Sequence, residues 1–421
     1  MKINKIKGTR DILPEEIDAF ITAENILRET MNKYEYREIR TPIFELSELF
    51  IKTTGAATDI VNKEMYSFTD RGGRNISLRP EGTPSIIRAY LENSLDKKKL
   101  FQKFFYYGPM FRQENPQSGR LREFRQFGIE AIGSRSPQID AETIILGIEV
   151  LKNIGLNKVE LHLNSIGCEE CRPSYESALK SFLKPKLPFL CNDCKRRFET
   201  NILRVLDCKK ENCKELTKDA PKPVNYLCQE CSEHFAQVIN LLRKSDLPYI
   251  LNPHLVRGLD YYTKTVYEFI SPVLGAQDAV GGGGRYDKMV ESFGGSRIPA
   301  IGFACGMERI LLAAQKQGKT KTRKKHPECY IVTMDAKSDE QGFLMLGKLR
   351  RAGIRCEKDF MSRSLKAQMK DANKLKAVLA IIIGSDEIEK NEVTLRRMDD
   401  GTQKRIPFSV EEIRKEIDNR R

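Results

Sequence analysis

Histidine is scarce in this chain, long apolar runs are missing, and no phosphate loop is present. Each shortage narrows what it does. Only four histidines occur in 421 residues, so imidazole acid–base chemistry is not the obvious mechanism, and no Ser-His-Asp or His-rich hydrolytic constellation stands out. No run of about eighteen apolar residues is present, which argues against a membrane-spanning helix. The opening stretch, MKINKIKGTRDILPEE, lacks the continuous apolar segment of a secretory signal, so a cytoplasmic protein with no membrane partner is expected. The glycine run in VGGGGRYDK is not a P-loop, because no Lys-Ser/Thr follows at the required spacing and Lys288 comes too late. No internal repeat of roughly 20–50 residues appears.

What is there fits a soluble protein of two or three domains, with 40% hydrophobic and 31% charged residues. Net charge is +14, and from Lys316 to Arg421 there are 26 Lys and Arg against 17 Asp and Glu, an excess of +9. A basic terminal quarter points to a polyanionic partner, most simply nucleic acid. Composition divides the chain into residues 1–167, a cysteine-rich insertion at 168–237, a return of the first type at 238–315, a basic linker at 316–327, and a folded block at 328–421.

In the first block, IDAFITAENILRETMNKY has helical apolar spacing, and EYREIRTPIFELSELF reads as an extended strand. SIIRAYLEN reads as a helix that Thr83 caps and Pro84 starts. Segments 101–111, 121–132, 159–163 and 265–270 read as strands, which together predict an α+β fold with an antiparallel sheet flanked by helices. The last block predicts a small α/β domain: strand CYIVTM, helices QGFLMLGKLRRAG and SLKAQMKDANKL, buried strand AVLAIIIG, and a hairpin about Asp-Gly in EVTLRRMDDGTQKRIPF.

Four stretches carry chemistry. FRQENPQSGRLREFRQFGIE is a hairpin whose second strand puts Arg122, Phe124, Gln126, Gly128 and Glu130 on one face. Gly128 leaves a gap there, where Gln126 and Glu130 would grip a small polar ligand. LRPEGTPS places Glu81 and Thr83 before a helix start, and LVRGLDYYTKTVYEF crowds Arg257, Tyr261 and Tyr262 at a turn. In IGFACGMERILL, Arg309 falls in the first turn of a helix, where a cation needs an anion to justify it. Arginines beside glycine-rich corners suggest phosphoryl or nucleotidyl chemistry run by positioning and electrostatics.

Together these stretches resemble the histidyl-tRNA synthetase family of class II aminoacyl-tRNA synthetases. TPIFELSELF is similar to motif 1, FRQENPQSGRLREFRQFGIE to motif 2, GFACGMERILL to motif 3, LVRGLDYYTKTVYEF to the histidine signature, and KGTRDILP to the family's start. The resemblance covers nearly the whole chain, with the motifs in order. It implies ATP-dependent activation of L-histidine and its transfer to tRNA(His). Glu81, Thr83, Gln126 and Glu130 would hold histidine's ammonium and imidazole, with Tyr261 and Tyr262 closing the pocket. Arg112 would contact the α-phosphate and the substrate carboxylate, Arg257 would stabilise α-phosphate charge, and Arg309 would hold the γ-phosphate. Gln117, Arg120 and Arg122 would face the tRNA acceptor end. ATP with Mg2+ as substrate, an anticodon-reading domain at 328–421 and a homodimer follow from the same resemblance. Asn115, Arg125 and Lys288 depart from the family's usual Arg, His and Gly at those places.

Two further readings stand beside this one. A non-catalytic paralogue, the regulatory subunit of a histidine-biosynthetic phosphoribosyltransferase, typically lacks the anticodon domain and loses the arginines, all of which are kept here. A zinc-dependent nucleic-acid-binding protein rests on the cysteines and charge, and leaves Glu81, Gln126 and Glu130 without a purpose. The spacing of Cys191, Cys194, Cys228 and Cys231 suits a structural four-cysteine zinc site, with Cys208 and Cys213 as an alternative pair. Reduced thiols packed in the insertion are the other reading of the same residues.

Overall fold

Alternating apolar residues in the first block build one large sheet, and helices cover it. The computed structural model describes residues 3–54, 60–116, 119–275, 278–318 and 326–419. Two compact units result, Met1–Thr322 and Arg323–Arg421.

The first unit holds an eight-stranded sheet in the order Arg37–Glu38, Gln102–Phe111, Glu123–Ile132, Ala300–Gly306, Ala279–Arg285, Thr263–Ile270, Glu160–Ser165, Ile250–Leu251. Every interior pairing is antiparallel, and only the two short edge strands pair in parallel. The expected α+β architecture is therefore present. Helix Pro14–Lys33 buries Phe20, Ala23, Leu27 and Met31 on this sheet, at a spacing close to one helical face.

Helix Pro137–Ile154, passed over in the strand-by-strand reading, is signalled by SPQIDAE. Ser136 accepts a hydrogen bond from the Gln138 amide at 3.2 Å, Pro137 opens the helix, and Gly155 closes it at φ 119°. Ile144, Leu146, Val150 and Leu151 are fully buried along it, each contributing about 1.5–3 kcal/mol. Asp140 on this helix accepts from Arg285 at 2.8 Å and pairs with His234 at 2.8 Å. His234 belongs to helix Gln229–Lys244, so this buried network ties the chain returning from the insertion to the main sheet.

Three local readings are corrected. TPIFELSELF does not stay extended: Phe44–Leu46 is a strand, and Ser47–Thr54 is a helix. Thr83 does not cap helix Thr83–Glu92; Gly82 takes the cap position, and the Thr83 hydroxyl goes elsewhere. The run of glycines is not a corner but most of strand Ala279–Arg285. A backbone without side chains suits the middle of that sheet, because a Cβ at Gly282 would stand 2.7 Å from a guanidinium nitrogen of Arg257.

The second unit is a five-stranded mixed sheet in the order Cys356–Lys358, Cys329–Thr333, Leu379–Ile383, Glu392–Arg397, Gln403–Pro407. Helices Ala336–Arg351, Leu365–Lys374 and Val410–Asp418 accompany it. The expected hairpin forms, with Glu392–Arg397 antiparallel to Gln403–Pro407.

Candidate active site

The hairpin Gln102–Phe111/Glu123–Ile132 and the strand Ala300–Gly306 form the floor of a cleft of about 510 Å³. Alternation along Glu123–Ile132 turns Gln126 and Glu130 the same way, as the sequence predicts. Glu81, Thr83, Arg112, Gln126, Arg257, Tyr261, Tyr262 and Arg309 all line this one cleft.

Glu130 lies beneath the surface, 1% exposed. It accepts from the Thr83 hydroxyl at 2.6 Å and from the Tyr286 hydroxyl. Burial lifts its carboxyl to about 8, against the pull of those two donors and with a further push from Glu81. Glu81 accepts from the Tyr261 hydroxyl at 3.1 Å, and its other oxygen is buried with no hydrogen-bond partner among the described residues. Burial raises Glu81 to about 7, opposed by Arg112, the Tyr261 hydroxyl and Arg257. An unpartnered buried carboxylate oxygen is costly by itself, so this end of the cleft is built for a donor, and a cationic one for preference.

The gap foreseen over Gly128 is already filled. A Cβ there would lie 2.5 Å from the Tyr106 hydroxyl oxygen and 2.5 Å from the Phe303 carbonyl oxygen. The glycine makes room for Tyr106, which donates to Gln126 at 3.2 Å and so orients that amide. The loop carrying Glu81 is held by buried Arg79, whose guanidinium donates to the carbonyls of Pro109 at 2.9 Å and Thr41 at 3.0 Å.

Three arginines share the cleft. Arg112 donates to the Pro80 carbonyl at 3.0 Å and lies 5.3 Å over the Phe124 ring. Arg257 ion-pairs with Glu268 and stacks 5.9 Å from the Tyr262 ring centre, while its Nε is buried with no hydrogen-bond partner among the described residues. Burial works to lower its pKa, but Glu268, Tyr262 and Tyr261 outweigh that and raise it. Arg309 stands in the first turn of helix Met307–Lys316, as expected. Burial, and after it the neighbouring Arg120, push it below the usual arginine range against the opposing pull of Asp278, Glu114 and Glu268.

The acceptor-end set divides. Arg120 is exposed, pairs with Glu114 at 3.3 Å and lines the cleft. Arg122 turns away, bonding the Glu114 carbonyl at 3.3 Å and packing so closely on Gly8 that a Cβ there would come within 2.9 Å of it. Gln117 lies outside the described residues. Arg125 offers its backbone amide to both oxygens of Glu308 at 2.9 Å, which pins the motif 2 strand to the motif 3 helix. Lys288 ion-pairs with Glu169.

Sequence reasoning missed Tyr286, Glu268 and Tyr106, and also Arg204, Asp207 and Lys209, which bring the insertion into the cleft wall. Tyr286 follows Arg285 directly in GRYDK, yet strand alternation that sends one side chain to the core sends its neighbour to the cleft. The zinc candidates are also corrected. Cys191 and Cys194 do not meet Cys228 and Cys231; they gather with Cys208 and Cys213, while Cys228 and Cys231 gather with Cys168 and Cys171. Spacing in sequence pairs cysteines locally, but the fold decides which pairs meet.

A histidyl-tRNA synthetase family model matches residues 8–310, and an anticodon-binding-domain model matches residues 328–420. The chain is 48% identical over 410 residues to the histidine–tRNA ligase of Moorella thermoacetica, covering 97% of each chain. It is 47% identical over 406 residues to that of Desulforamulus reducens, covering 96% of this chain and 97% of the other. The crystal structure of apo histidyl-tRNA synthetase from S. aureus superposes with a TM-score of 0.84 at 36% identity, over 98% of this chain and 100% of that one.

Proposed function

Because the chain belongs to the histidyl-tRNA synthetase family, we infer that its cleft is where L-histidine is joined to tRNA(His) with consumption of ATP. The activity is that of an ATP-dependent histidine–tRNA ligase. The histidine carboxylate attacks the α-phosphorus of ATP and pyrophosphate departs with the bond electrons; a 3′-terminal ribose hydroxyl of the tRNA then attacks the adenylate's acyl carbon, giving up its proton as AMP leaves with the electrons of the broken acyl–phosphate bond. ATP enters as its Mg2+ complex and is a substrate.

The single observation behind the residue roles is that Glu81, Thr83 and Gln126 line one cleft with Arg112, Arg257 and Arg309, while Glu130 lies buried against Thr83. Glu81, with its unpartnered oxygen, and Glu130, Thr83 and Gln126 receive the ammonium and imidazole of histidine, and Tyr261 and Tyr262 close over them. A site that hydrogen-bonds a polar side chain rejects isosteres lacking the groups, because its own polar atoms would be left unpaired. Arg112 and Arg257 face the carboxylate and α-phosphate, and Arg309 the γ-phosphate. Fixed cations stabilise charge that grows as the pentavalent phosphorus forms and as pyrophosphate leaves. The unpartnered Nε of Arg257 is a donor awaiting such an oxygen. Arg120 attends the acceptor end, and the basic unit at 328–421 reads the anticodon.

A homodimer is part of the same reading. Ile43, Phe44, Leu46 and Phe68 are 43–57% exposed on or beside the three-stranded sheet Phe44–Leu46, Asn75–Leu78, Ser67–Thr69, an apolar patch of the kind that a second copy covers. We place the protein in the cytoplasm, where its tRNA is. Among the described residues no helix is long and apolar enough to cross a membrane. The regulatory-subunit alternative is not favoured, since the anticodon-binding match and Arg112, Arg257 and Arg309 are all present.

The test is ATP–pyrophosphate exchange with each amino acid in turn. Exchange should depend on histidine and nearly vanish in Arg257→Ala. Exchange with a different amino acid, or full activity without Arg257, would overturn the assignment.

A further inference from the structure

Eight of the eleven cysteines converge into two groups of four, and the chemistry just described uses none of them. Cys168, Cys171, Cys228 and Cys231 form one group; Cys191, Cys194, Cys208 and Cys213 form the other. Within each, all four sulfurs lie within 4.8 Å of one another. Three of these separations are 3.8 Å for Cys168–Cys171, 3.9 Å for Cys168–Cys228 and 3.9 Å for Cys191–Cys208. A disulfide requires about 2.05 Å, so these are not bonded pairs. Four thiolates placed tetrahedrally about an ion at about 2.3 Å stand about 3.8 Å from one another. These three distances match those of a coordination shell.

Three further features fit ligation. Each group combines two short-spaced pairs, CEEC with CQEC and CNDC with CKKENC, which keeps the local entropy of assembling four ligands low. Backbone amides already donate to the sulfurs, Cys168 N–H to Cys171 Sγ at 3.2 Å and Cys191 N–H to Cys213 Sγ at 3.4 Å, as outer hydrogen bonds to metal thiolates do. Gly167 sits at φ +69°, where a Cβ would come within 2.6 Å of Cys171 Sγ, so the chain there is shaped to let a sulfur turn inward.

We propose that each quartet binds one zinc ion, two per chain, in closed structural sites. Four thiolates and no open position suit zinc in a structural role rather than catalysis. The two ions hold different things. Cys168 and Cys171 follow strand Glu160–Ser165, and Cys228 and Cys231 open helix Gln229–Lys244, so the first ion clasps the insertion where its chain leaves and returns. Cys208 lies between Asp207 and Lys209, both of which line the cleft, so the second ion fixes the insertion's share of the cleft wall.

Metal analysis of the full chain, purified without added metal or chelator, should give two zinc ions per chain. Cys168→Ser/Cys228→Ser should lose one and keep the other, and Cys191→Ser/Cys213→Ser should do the converse. Replacing zinc with Co2+ in the unaltered chain should give the thiolate-to-cobalt charge-transfer and visible bands of a tetrahedral tetrathiolate. That measurement does not depend on the variants folding. Absence of metal, with all eight thiols reacting freely in the folded chain, would overturn the proposal. Iron in place of zinc would overturn the choice of ion, and a quartet whose double variant releases nothing is not a site.

Discussion

The cleft's carboxyl end, Glu81 with Glu130 beneath it, holds buried carboxyls lifted to about 7 and about 8, whereas its arginine end, Arg309 with Arg112 and Arg257 reaching toward Glu81, keeps guanidinium groups that do not deprotonate in proteins. Charge at the carboxyl end is conditional: it develops fully when a cation arrives to stabilise it. Charge at the arginine end is constitutive and waits for phosphate. The difference matches the two tasks proposed for them. Recognition of a small cationic amino acid gains from groups that cost little until the right partner is bound, and phosphoryl chemistry gains from cations fixed before the reaction begins.

The largest effect should come from removing a constitutive charge. Arg257→Ala is expected to lower kcat/KM for histidine-dependent exchange about 10³-fold, about 4 kcal/mol of lost transition-state stabilisation. It should act on kcat more than on histidine KM. A change confined to histidine KM would place Arg257 at the recognition end and break the comparison.

Glu81→Gln keeps the shape and removes the ability to ionise. A hydrogen bond to a charged group is worth about 1.5–3 kcal/mol, so histidine KM should rise about 10–100-fold in steady-state exchange, with ATP KM unchanged. Equal damage to both constants would mean that the ends are not separable.

Both predictions use residues named by their sequence motifs, and other residues of the site are legible for a geometric reason. Period-two alternation in Glu123–Ile132 and the strand-to-helix junction at Gly306/Met307 are local, so Gln126, Glu130 and Arg309 were legible from position alone. The antiparallel sheet followed from the same alternation. What was illegible depended on distant segments meeting. Tyr106 fills the space over Gly128 from the adjacent strand, Tyr286 reaches Glu130 from 156 residues away, and the cysteine pairs cross over in a way no spacing reveals. Thr83 shows the conflict within a single residue. Its local preference is to cap a helix, but a buried carboxyl 47 positions on claims the hydroxyl.

pH should separate the ends further. Glu81 is raised to about 7, so it is mostly protonated at pH 6 and mostly ionised at pH 8, and only the ionised form pairs with an ammonium. Histidine KM should therefore fall about tenfold as pH rises across that interval, measured against Glu81→Gln, which shares the titration of free histidine itself. ATP KM should not follow the same curve. Stability runs the opposite way. A carboxyl with a raised folded pKa contributes stability that is full below the unfolded value, near 4.5, and is lost as pH rises through about 7. Melting of the ligand-free chain should thus lose this contribution toward pH 8, while the shift produced by added histidine grows.

The smallest effect belongs to Tyr286→Phe, and it is the finest probe of the contrast. The hydroxyl it removes donates to Glu130, whose remaining donor is Thr83. Loss of one donor to a carboxylate disfavours the ionised form, so Glu130 should titrate higher still, above about 8. The ring remains to fill the buried site, so packing changes little, and the cost should be about 0.5–1.5 kcal/mol. Histidine KM should rise about 3–10-fold, with its pH dependence displaced upward, and ATP KM should hold. A merely structural tyrosine would lower the melting temperature and leave the pH profile in place. An upward displacement of the pH profile assigns the hydroxyl to tuning the carboxyl end, where charge is switched on by the substrate that needs it.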